Sequence, residues 1–317
     1  MKGALYDPSY PQDVRFVSTL PVPSPKSNQV LIKVKTASLN PVDYKLITPK
    51  IPFGRWLFPH TIGHDFAGQI LQVGPGVTSF NVNDEVFGNA AGGSFQEFTI
   101  ANINQIALKP KKLTWEQAAG LGLAPCTSLQ SLKLGGIKKG ANVLIIGASG
   151  GTGRYGVAIA KHYEARVVGI CSGKNIEDVK KLGADKVVDY TNKEFLKELE
   201  NEKFDVIYDT VSSPDDKDQT PIFKPYLKGN GRYVAINGKP TSFLRGMFGI
   251  PSDRHYLLLL DWNRKDLEIV AGIMEGVNQD LLVDSVFGFG QKDFEAVFER
   301  QKSRRTKGKI VVKISKD

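Results

Sequence analysis

The stretch that most constrains this chain is an apolar run ending in a cluster of small residues: VLIIGASGGTG, residues 143–153. Val143, Leu144, Ile145 and Ile146 suit a strand buried on both faces. The residues after them suit a turn where backbone must come close to something. Ala148-x-Gly150-x-x-Gly153 then leads into the helical pattern RYGVAIAKHY, with Tyr155, Ala158, Ile159 and His162 on one face. This is a dinucleotide-binding fingerprint with alanine at the first glycine position. Gly150 would let the backbone approach a pyrophosphate, Gly153 would allow close helix–strand packing, and the helix N-terminus would face negative charge. In isolation such a turn is only a tight turn. A strand before it, a helix after it and a second strand about 20 residues on favour a dinucleotide site over Ala148, Ser149, Gly150, Gly151, Thr152 and Gly153.

The surroundings agree. Thr114 to Gln117 is a Thr-x-x-Gln capping box opening the helix TWEQAAGLGL. From there strand and helix alternate: VLIIGA, RYGVAIAKHY, ARVVGIC, NIEDVKKLG, KVVDY, EFLKELE, DVIYDTV, a helix near 221–228, and RYVAING. That alternation implies a doubly wound parallel sheet. The first ~110 residues read differently. Short alternating stretches such as VLIKVKTAS (30–38) and DEVFG (84–88), punctuated by Gly and Pro, predict a compact, partly closed β-structure. After Lys265 a helix (DLEIVAGIMEGV) and a last strand (KIVVKI) are expected, the strand rejoining the N-terminal β-structure. The expected division is an α/β dinucleotide domain over 123–262 and a β-domain made of 1–122 and 263–317.

The end of the second strand selects the dinucleotide. A site for the unphosphorylated coenzyme usually carries Asp or Glu there for the ribose hydroxyls. Here ARVVGICSGKN has no carboxylate before Glu177 and offers Ser172, Lys174 and Asn175 instead. A hydroxyl, a cation and an amide suit a 2′-phosphate, and hence NADPH. Ser172 and Asn175 could also serve as helix caps, and Lys174 could simply be solvated.

Composition excludes several classes. The chain has 317 residues with two cysteines, Cys126 and Cys171, and no CxxC pair, which argues against a disulfide framework or a structural zinc cluster. The run YLLLL (256–260) ends at Asp261, far short of the ~20 residues of a bilayer span. MKGALYDPSYPQD lacks the apolar core of a signal peptide, so a soluble cytoplasmic or organellar protein is expected. A net charge of +9 suggests polyanions. Only KSRRTKGK (302–309) is a true basic cluster, and it lacks interleaved aromatics. A specific nucleic-acid partner is therefore not expected, while weak peripheral contact with acidic lipid stays open.

Several blocks together resemble the medium-chain dehydrogenases and reductases: PVPSPKSNQVLIKVKTASLNPVDYK (21–45), GHDFAG (63–68), VGPGVTSFNVNDEVFG (73–88), VLIIGASGGTG and KGKIVVKI. Asn-Pro-Val-Asp-x-Lys with CSGKN is most similar to the quinone oxidoreductase branch and to enone reductases. The resemblance implies a GroES-like β-domain beside a Rossmann domain. It also implies that Asn40 and Asp43 shape the junction of nicotinamide and substrate, that Thr127 lies near the nicotinamide and that Tyr190 flanks the 2′-phosphate. Ile236, Asn237 and Gly238 end a strand at the sheet's carboxyl edge, where ligands collect.

Zinc-dependent relatives use Cys, His and Cys as ligands. Here Asn40 stands at the first position, His64 keeps the second and Leu123 falls at the third, with Cys126 out of step, so no zinc is expected and His64 reads as a scaffold residue. Lys45 stands where several quinone oxidoreductases have tyrosine. It could bind a developing enolate or relay a proton, or equally form a structural salt bridge.

Without a Lewis acid, hydride addition to a conjugated acceptor is easier than reduction of an isolated ketone, because charge delocalises onto oxygen. The expected function is NADPH-dependent reduction of enones, alkenals or quinones. The alternatives are one-electron quinone reduction and a non-catalytic NADPH-binding role with RNA or membrane. The resemblance adds a homodimer or monomer, and the periphery of the plastid envelope, as expectations. The aromatic segment 51–60 and the segment 242–251 are candidates for the acceptor pocket.

Overall fold

In the computed structural model, residues 1–7, 14–43, 61–211, 218–238, 254–278 and 282–315 are described. Lys45 and the segments 51–60 and 242–251 lie outside them. The chain divides into two compact units, one of Met1–Ala124, Trp262–Glu275 and Leu282–Asp317, the other of Pro125–Asp261 and Gly276–Leu281. Relative to the division expected from sequence, both junctions move by one or two residues, and 276–281 joins the second unit.

The first unit contains a two-stranded antiparallel pair, β1 (Gly3–Tyr6) with β2 (Val14–Val17). Its main element is a seven-stranded mixed sheet. The long strand β3 (Gln29–Leu39) pairs antiparallel with β4 (Asp65–Val73). Next come β5 (Glu85–Asn89), β6 (Phe98–Asn102) and β7 (Ile106–Leu108). Alternation along β3 buries Val30, Ile32 and Val34 on one face, packed with Phe66, Phe95, Phe294 and Phe298. The capping box forms as read: the Thr114 hydroxyl accepts from the Gln117 backbone N–H at 3.3 Å and the Gln117 side chain accepts from the Thr114 N–H at 2.9 Å. The helix it opens, α1 (Trp115–Ala119), stops at Gly120, short of the expected TWEQAAGLGL.

The second unit begins within α2 (Leu123–Gly135). Its six strands are β8 (Asn142–Ile146), β9 (Arg166–Cys171), β10 (Lys186–Asp189), β11 (Phe204–Asp209), β12 (Leu227–Ala235) and β13 (His255–Leu257). All pair in parallel, in the spatial order β10-β9-β8-β11-β12-β13. Numbered from β8, that order is 3-2-1-4-5-6, a doubly wound dinucleotide-binding sheet whose ligands lie at the strands' carboxyl ends.

Two expectations are corrected here. The helix expected near 221–228 is one short turn, α-helical over Thr220–Phe223 and 3-10 over Lys224–Tyr226, because β12 already starts at Leu227. The helix α3 (Gly151–His162) is buried from Gly153 through Ala160, and His162 is exposed at its end. It is thus enclosed nearly all round instead of along one stripe.

The C-terminal part holds more than one helix and one strand. After α4 (Arg264–Met274) come β14 (Val283–Phe287), α5 (Gln291–Lys302) and β15 (Lys309–Lys313). β15 pairs antiparallel with β3 in the first unit, as read, and β14 extends the sheet beyond it in parallel.

Candidate functional site

In the second unit, the turn after β8 is built from backbone. Gly147 adopts φ +81°, and its N–H and that of Ala148 both donate to the Ile170 carbonyl, at 3.0 and 2.9 Å. A Cβ at Gly147 would lie 2.6 Å from the Thr210 hydroxyl, so this glycine is required by both conformation and space. Ala148 is fully buried with its methyl toward Gly169, leaving only its backbone for a ligand. A Cβ at Gly153 would sit 2.2 Å from the Gly147 carbonyl, which is the close helix–strand packing expected there. Gly150 differs: a Cβ there would meet no protein atom nearer than 3.4 Å. The fold leaves that space open. Gly150 also caps α3 without a side-chain hydrogen bond, so the first N–H groups of the helix and its dipole face a cradle suited to a phosphate group.

Two side chains fix this turn. The Arg154 guanidinium, 1% exposed, donates through Nε to the Ser149 carbonyl at 2.9 Å and through a terminal nitrogen to Asp178 at 3.2 Å. The Asn175 amide donates to the hydroxyls of Ser149 and Ser172, at 3.1 and 3.0 Å. Ser149, Ser172 and Asn175 thus form one connected group. Lys174 beside them is exposed. Tyr190 is 56% exposed, and its N–H donates to the Cys171 carbonyl at 3.1 Å, which puts it next to Ser172. A carboxylate close to this loop, Asp189, accepts from the Thr191 N–H at 2.9 Å and the Thr191 hydroxyl at 2.7 Å, and these bonds hold its carboxyl below the usual range. Ile236, Asn237 and Gly238 follow β12, which is separated from β8 by β11 alone. Thr127 is buried in α2. Gly147, Arg154 and Thr210 were not among the residues expected from sequence. A glycine just before the fingerprint and an arginine just after its last glycine were the available signals.

In the first unit, Asn40 and Asp43 lie in a buried polar cluster at one end of the main sheet. Pairing sets it up: Ser38 faces Asp65 across β3 and β4, and Ile310 faces Leu39 across β15 and β3. Three strand ends therefore converge. Asp65, fully buried, accepts from Asn40 Nδ2 at 2.9 Å, Ser38 Oγ at 3.3 Å, Lys309 Nζ at 3.2 Å and the Leu123 N–H at 2.8 Å. A Cβ at Gly122 would fall 2.2 Å from the Asp65 carboxylate, so glycine there permits that approach. Lys309, 3% exposed, also donates to the Leu39 carbonyl at 3.0 Å and to Asn40 Oδ1. Both ends of the Asn40 amide are thereby used. Asp43 accepts the Asn40 N–H at 2.7 Å through one oxygen and pairs with His64 Nδ1 through the other.

His64 is the partly open member, with a side chain 31% exposed. Burial works against its proton, but the charge and hydrogen bond of Asp43, helped by Asp65, outweigh burial and Lys309 together, so its pKa is raised above the ordinary value. Sequence reading found Asn40, Asp43 and His64 but not Asp65 or Lys309. Aspartate after the histidine in GHD and lysine in KGK were visible but unremarkable, and only the sheet register joins them.

Against known proteins, residues 26–111 match the alcohol dehydrogenase GroES-like domain and residues 182–312 match a family described as zinc-binding dehydrogenase. A chloroplast envelope quinone oxidoreductase homolog of Arabidopsis thaliana is 33% identical over 92% of this chain and 92% of its own length. The chain belongs to the medium-chain dehydrogenase/reductase superfamily. An NADPH-dependent alkenal/one oxidoreductase of Arabidopsis thaliana is 34% identical over 76% of this chain and 64% of the relative. Among solved structures, a quinone oxidoreductase from Coxiella burnetii superposes with TM-score 0.84 at 27% identity, covering 99% of both chains. As a member of this superfamily the chain is an oxidoreductase built to bind a nicotinamide cofactor.

Superfamily members described as zinc-binding raise the question of whether these residues fit that metal, and they do not. Among the described residues, no three of His, Cys, Asp and Glu are grouped to hold a metal ion. At the three ligand positions Asn40 is saturated by Lys309 and Asp65, Leu123 offers an N–H, and His64 is turned to Asp43. An ammonium in the cluster adds charge that would repel a cation. Cys126 and Cys171 are both buried, and burial with nearby Asp189 pushes the Cys171 thiol up to about 11, away from the thiolate a metal needs.

Proposed function

We propose that this oxidoreductase uses NADPH to reduce the conjugated C=C bond of enones and alkenals, or the ring of quinones, without a catalytic metal. The observation that carries the reading is the cluster of Asn40, Asp65 and Lys309, which occupies the metal-ligand end of the fold with an amide, a carboxylate and an ammonium that satisfy one another. Lacking a Lewis acid, the site suits acceptors whose negative charge spreads through conjugation and can be met by hydrogen bonds.

The coenzyme half of the reading rests on the second unit. The turn 147–153 and the uncapped start of α3 would hold the pyrophosphate. Ser172, Lys174 and Tyr190 would surround a 2′-phosphate, with Asn175 positioning the two serines. When bound, the reduced nicotinamide supplies a hydride. The relative named as NADPH-dependent is consistent with this coenzyme.

One panel tests the proposal. Purified protein is assayed with NADPH and with NADH against a short enone, a long alkenal, a quinone and a simple ketone, and its metal content is measured alongside. The expected result is NADPH oxidation with conjugated acceptors only and no stoichiometric zinc. Preference for NADH, turnover of the simple ketone or one bound zinc per chain would overturn it.

A further inference from the structure

Three polar side chains of the second unit join the turn after β8 to the loop after β9, and their hydrogen bonds run in one direction. An amide nitrogen has two hydrogens, and Asn175 Nδ2 meets two acceptors, Ser149 Oγ at 3.1 Å and Ser172 Oγ at 3.0 Å. Ser172 and Asn175 both stand at N-cap positions, yet neither side chain makes a cap bond there. Each hydroxyl has one hydrogen to give. With Asn175 filling a lone pair on each oxygen, those hydrogens are turned away from the amide. Among the described residues, neither is donated to another protein group. Asn175 is 7% exposed and its Oδ1 is buried with no partner, whereas both serines are half-buried. The trio therefore keeps its unmet acceptor sealed in and its two unspent donors half open.

The backbone under each serine is fixed without the Asn175 side chain. Arg154 Nε holds the Ser149 carbonyl at 2.9 Å. The Ser172 carbonyl accepts the Asn175 main-chain N–H at 2.8 Å, a bond that a substitution at 175 keeps. Gly173 lets the Asp189 carboxylate lie against the loop, since a Cβ there would fall 2.4 Å from it. What the amide adds is the sense of the two hydroxyls.

We propose that Asn175 is a specificity-determining residue of the coenzyme site, acting through the direction of these hydrogen bonds. This rests on the NADPH reading above. By donating to both oxygens the amide makes both serines donors, and a bond donated into a hydroxyl polarises the O–H that follows it. The oxygens of an ionised phosphate only accept, so the chain from Nδ2–H through Oγ–H to a phosphate oxygen uses every hydrogen. A ribose hydroxyl brings a hydrogen of its own and is gripped best by an acceptor, the carboxylate usual in sites for the unphosphorylated coenzyme. Asn175 thus selects the phosphorylated coenzyme from behind, touching no phosphate. One amide also ties the turn that would hold the pyrophosphate to the loop that would hold the 2′-phosphate.

Binding of 2′,5′-ADP and of 5′-AMP to the full-length protein, followed by isothermal titration calorimetry, tests this without turnover. The ratio of their dissociation constants measures what the 2′-phosphate adds. In the wild type 2′,5′-ADP is expected to bind about tenfold tighter or more. Asn175→Leu keeps the volume but neither donates nor accepts, and should cut that ratio about fivefold. Asn175→Asp has the same shape and only accepts, so it should turn both hydrogens inward and cut the ratio further. Both changes are repeated in Ser149→Ala/Ser172→Ala. With no hydroxyl to orient, Asn175→Leu should there alter the ratio by less than about twofold, and the additional loss in Asn175→Asp should shrink.

If Asn175→Leu does not fold, Asn175→Ala takes its place in both backgrounds. An Asn175→Leu ratio within about twofold of wild type overturns the proposal and leaves the NADPH reading intact. So does an Asn175→Asp protein that keeps more of the ratio than Asn175→Leu. A loss that persists undiminished without the serines also overturns it, because the side chain would then only brace the loop. A wild type that binds both nucleotides equally overturns the NADPH reading itself, and the proposal with it.

Discussion

The glycine turn of the second unit and the polar cluster of the first both manage charge, but from opposite materials. The turn is backbone: over residues 147–153 the Gly147 and Ala148 N–H groups bond the Ile170 carbonyl and the first N–H groups of α3 stay uncapped, and the side chains that brace them, Arg154 and Asn175, act from behind. The cluster is side chain: Ser38, Asn40, Asp43, His64, Asp65 and Lys309 come from three separate stretches of chain. A backbone device carries no net charge and tolerates change except where a Cβ would collide. A side-chain device must balance formal charges out of water, and loses most when one partner is removed.

Removing Lys309 is the harshest way to break that comparison. Lys309→Met keeps the apolar stem and deletes the ammonium, leaving the fully buried Asp65 without its cation. The expected cost is about 3–5 kcal/mol, read as a lower urea midpoint for the full-length protein. Adding Asp65→Asn should recover part of the loss, because no unpaired charge then remains. A loss from Lys309→Met below about 1 kcal/mol, within the range of an exposed pair, would mean that the cluster is not a balanced unit.

In the turn, two glycines separate fold from ligand. Gly153→Ala places a Cβ 2.2 Å from the Gly147 carbonyl and is expected to cost about 1–3 kcal/mol of stability. Gly150→Ala meets nothing nearer than 3.4 Å and should leave stability within about 0.5 kcal/mol. It should nonetheless weaken dinucleotide binding about tenfold or more, equivalent to about 1.4 kcal/mol, because the methyl fills the cradle. Thermal unfolding and a fluorescence titration with NADPH distinguish the two variants. Equal effects of both on stability would remove the distinction.

The contrast also accounts for what was legible in the sequence. The turn, its strand and its helix are contiguous, so VLIIGASGGTG announces them, and the Thr114–Gln117 capping box is equally local. The overall architecture followed from the change between alternating β-stretches and strand–helix alternation. Lys309 was legible only as one lysine in a basic run, because its partners Asn40 and Asp65 lie 269 and 244 residues away. Nothing local distinguishes a lysine that caps a buried carboxylate from one that stands in water. The 221–228 helix failed for a related reason. The expected helix ran across Pro225, which disfavours a continuing helix, and pairing with β11 takes Leu227 onward into a strand. His162 fits the helical period of α3, yet it stands at the last turn, where the packing that buries Gly153–Ala160 has ended.

The loop after β9 sharpens the comparison at a smaller scale, since under the proposed function a side chain there would meet a charge in solvent. Lys174→Ala removes an exposed ammonium and should reduce the preference for NADPH over NADH by about tenfold. The change should appear in KM for NADPH, with little effect on KM for NADH, and should shrink as salt is added. Ser172→Ala should act less strongly, because it removes a neutral hydroxyl and leaves the ammonium in place. A preference unchanged by both substitutions would place the discrimination elsewhere.

The smallest effect expected is a pH dependence of stability that belongs to the cluster and not to the turn. Asp43 raises the His64 pKa in the folded protein, so the pair's stabilisation is fully present below the unfolded histidine value and is lost as pH rises through the folded one. The gap in melting temperature between wild type and His64→Gln should therefore be widest at mildly acidic pH and narrow toward alkaline pH. The gap between wild type and Gly150→Ala should stay constant over the same range, since that turn presents amides and no titrating group. A His64→Gln gap that widens with pH would mean that the folded protein disfavours the imidazolium. Asp43 would then orient a neutral ring instead of holding a charge, and the two regions would differ in geometry alone.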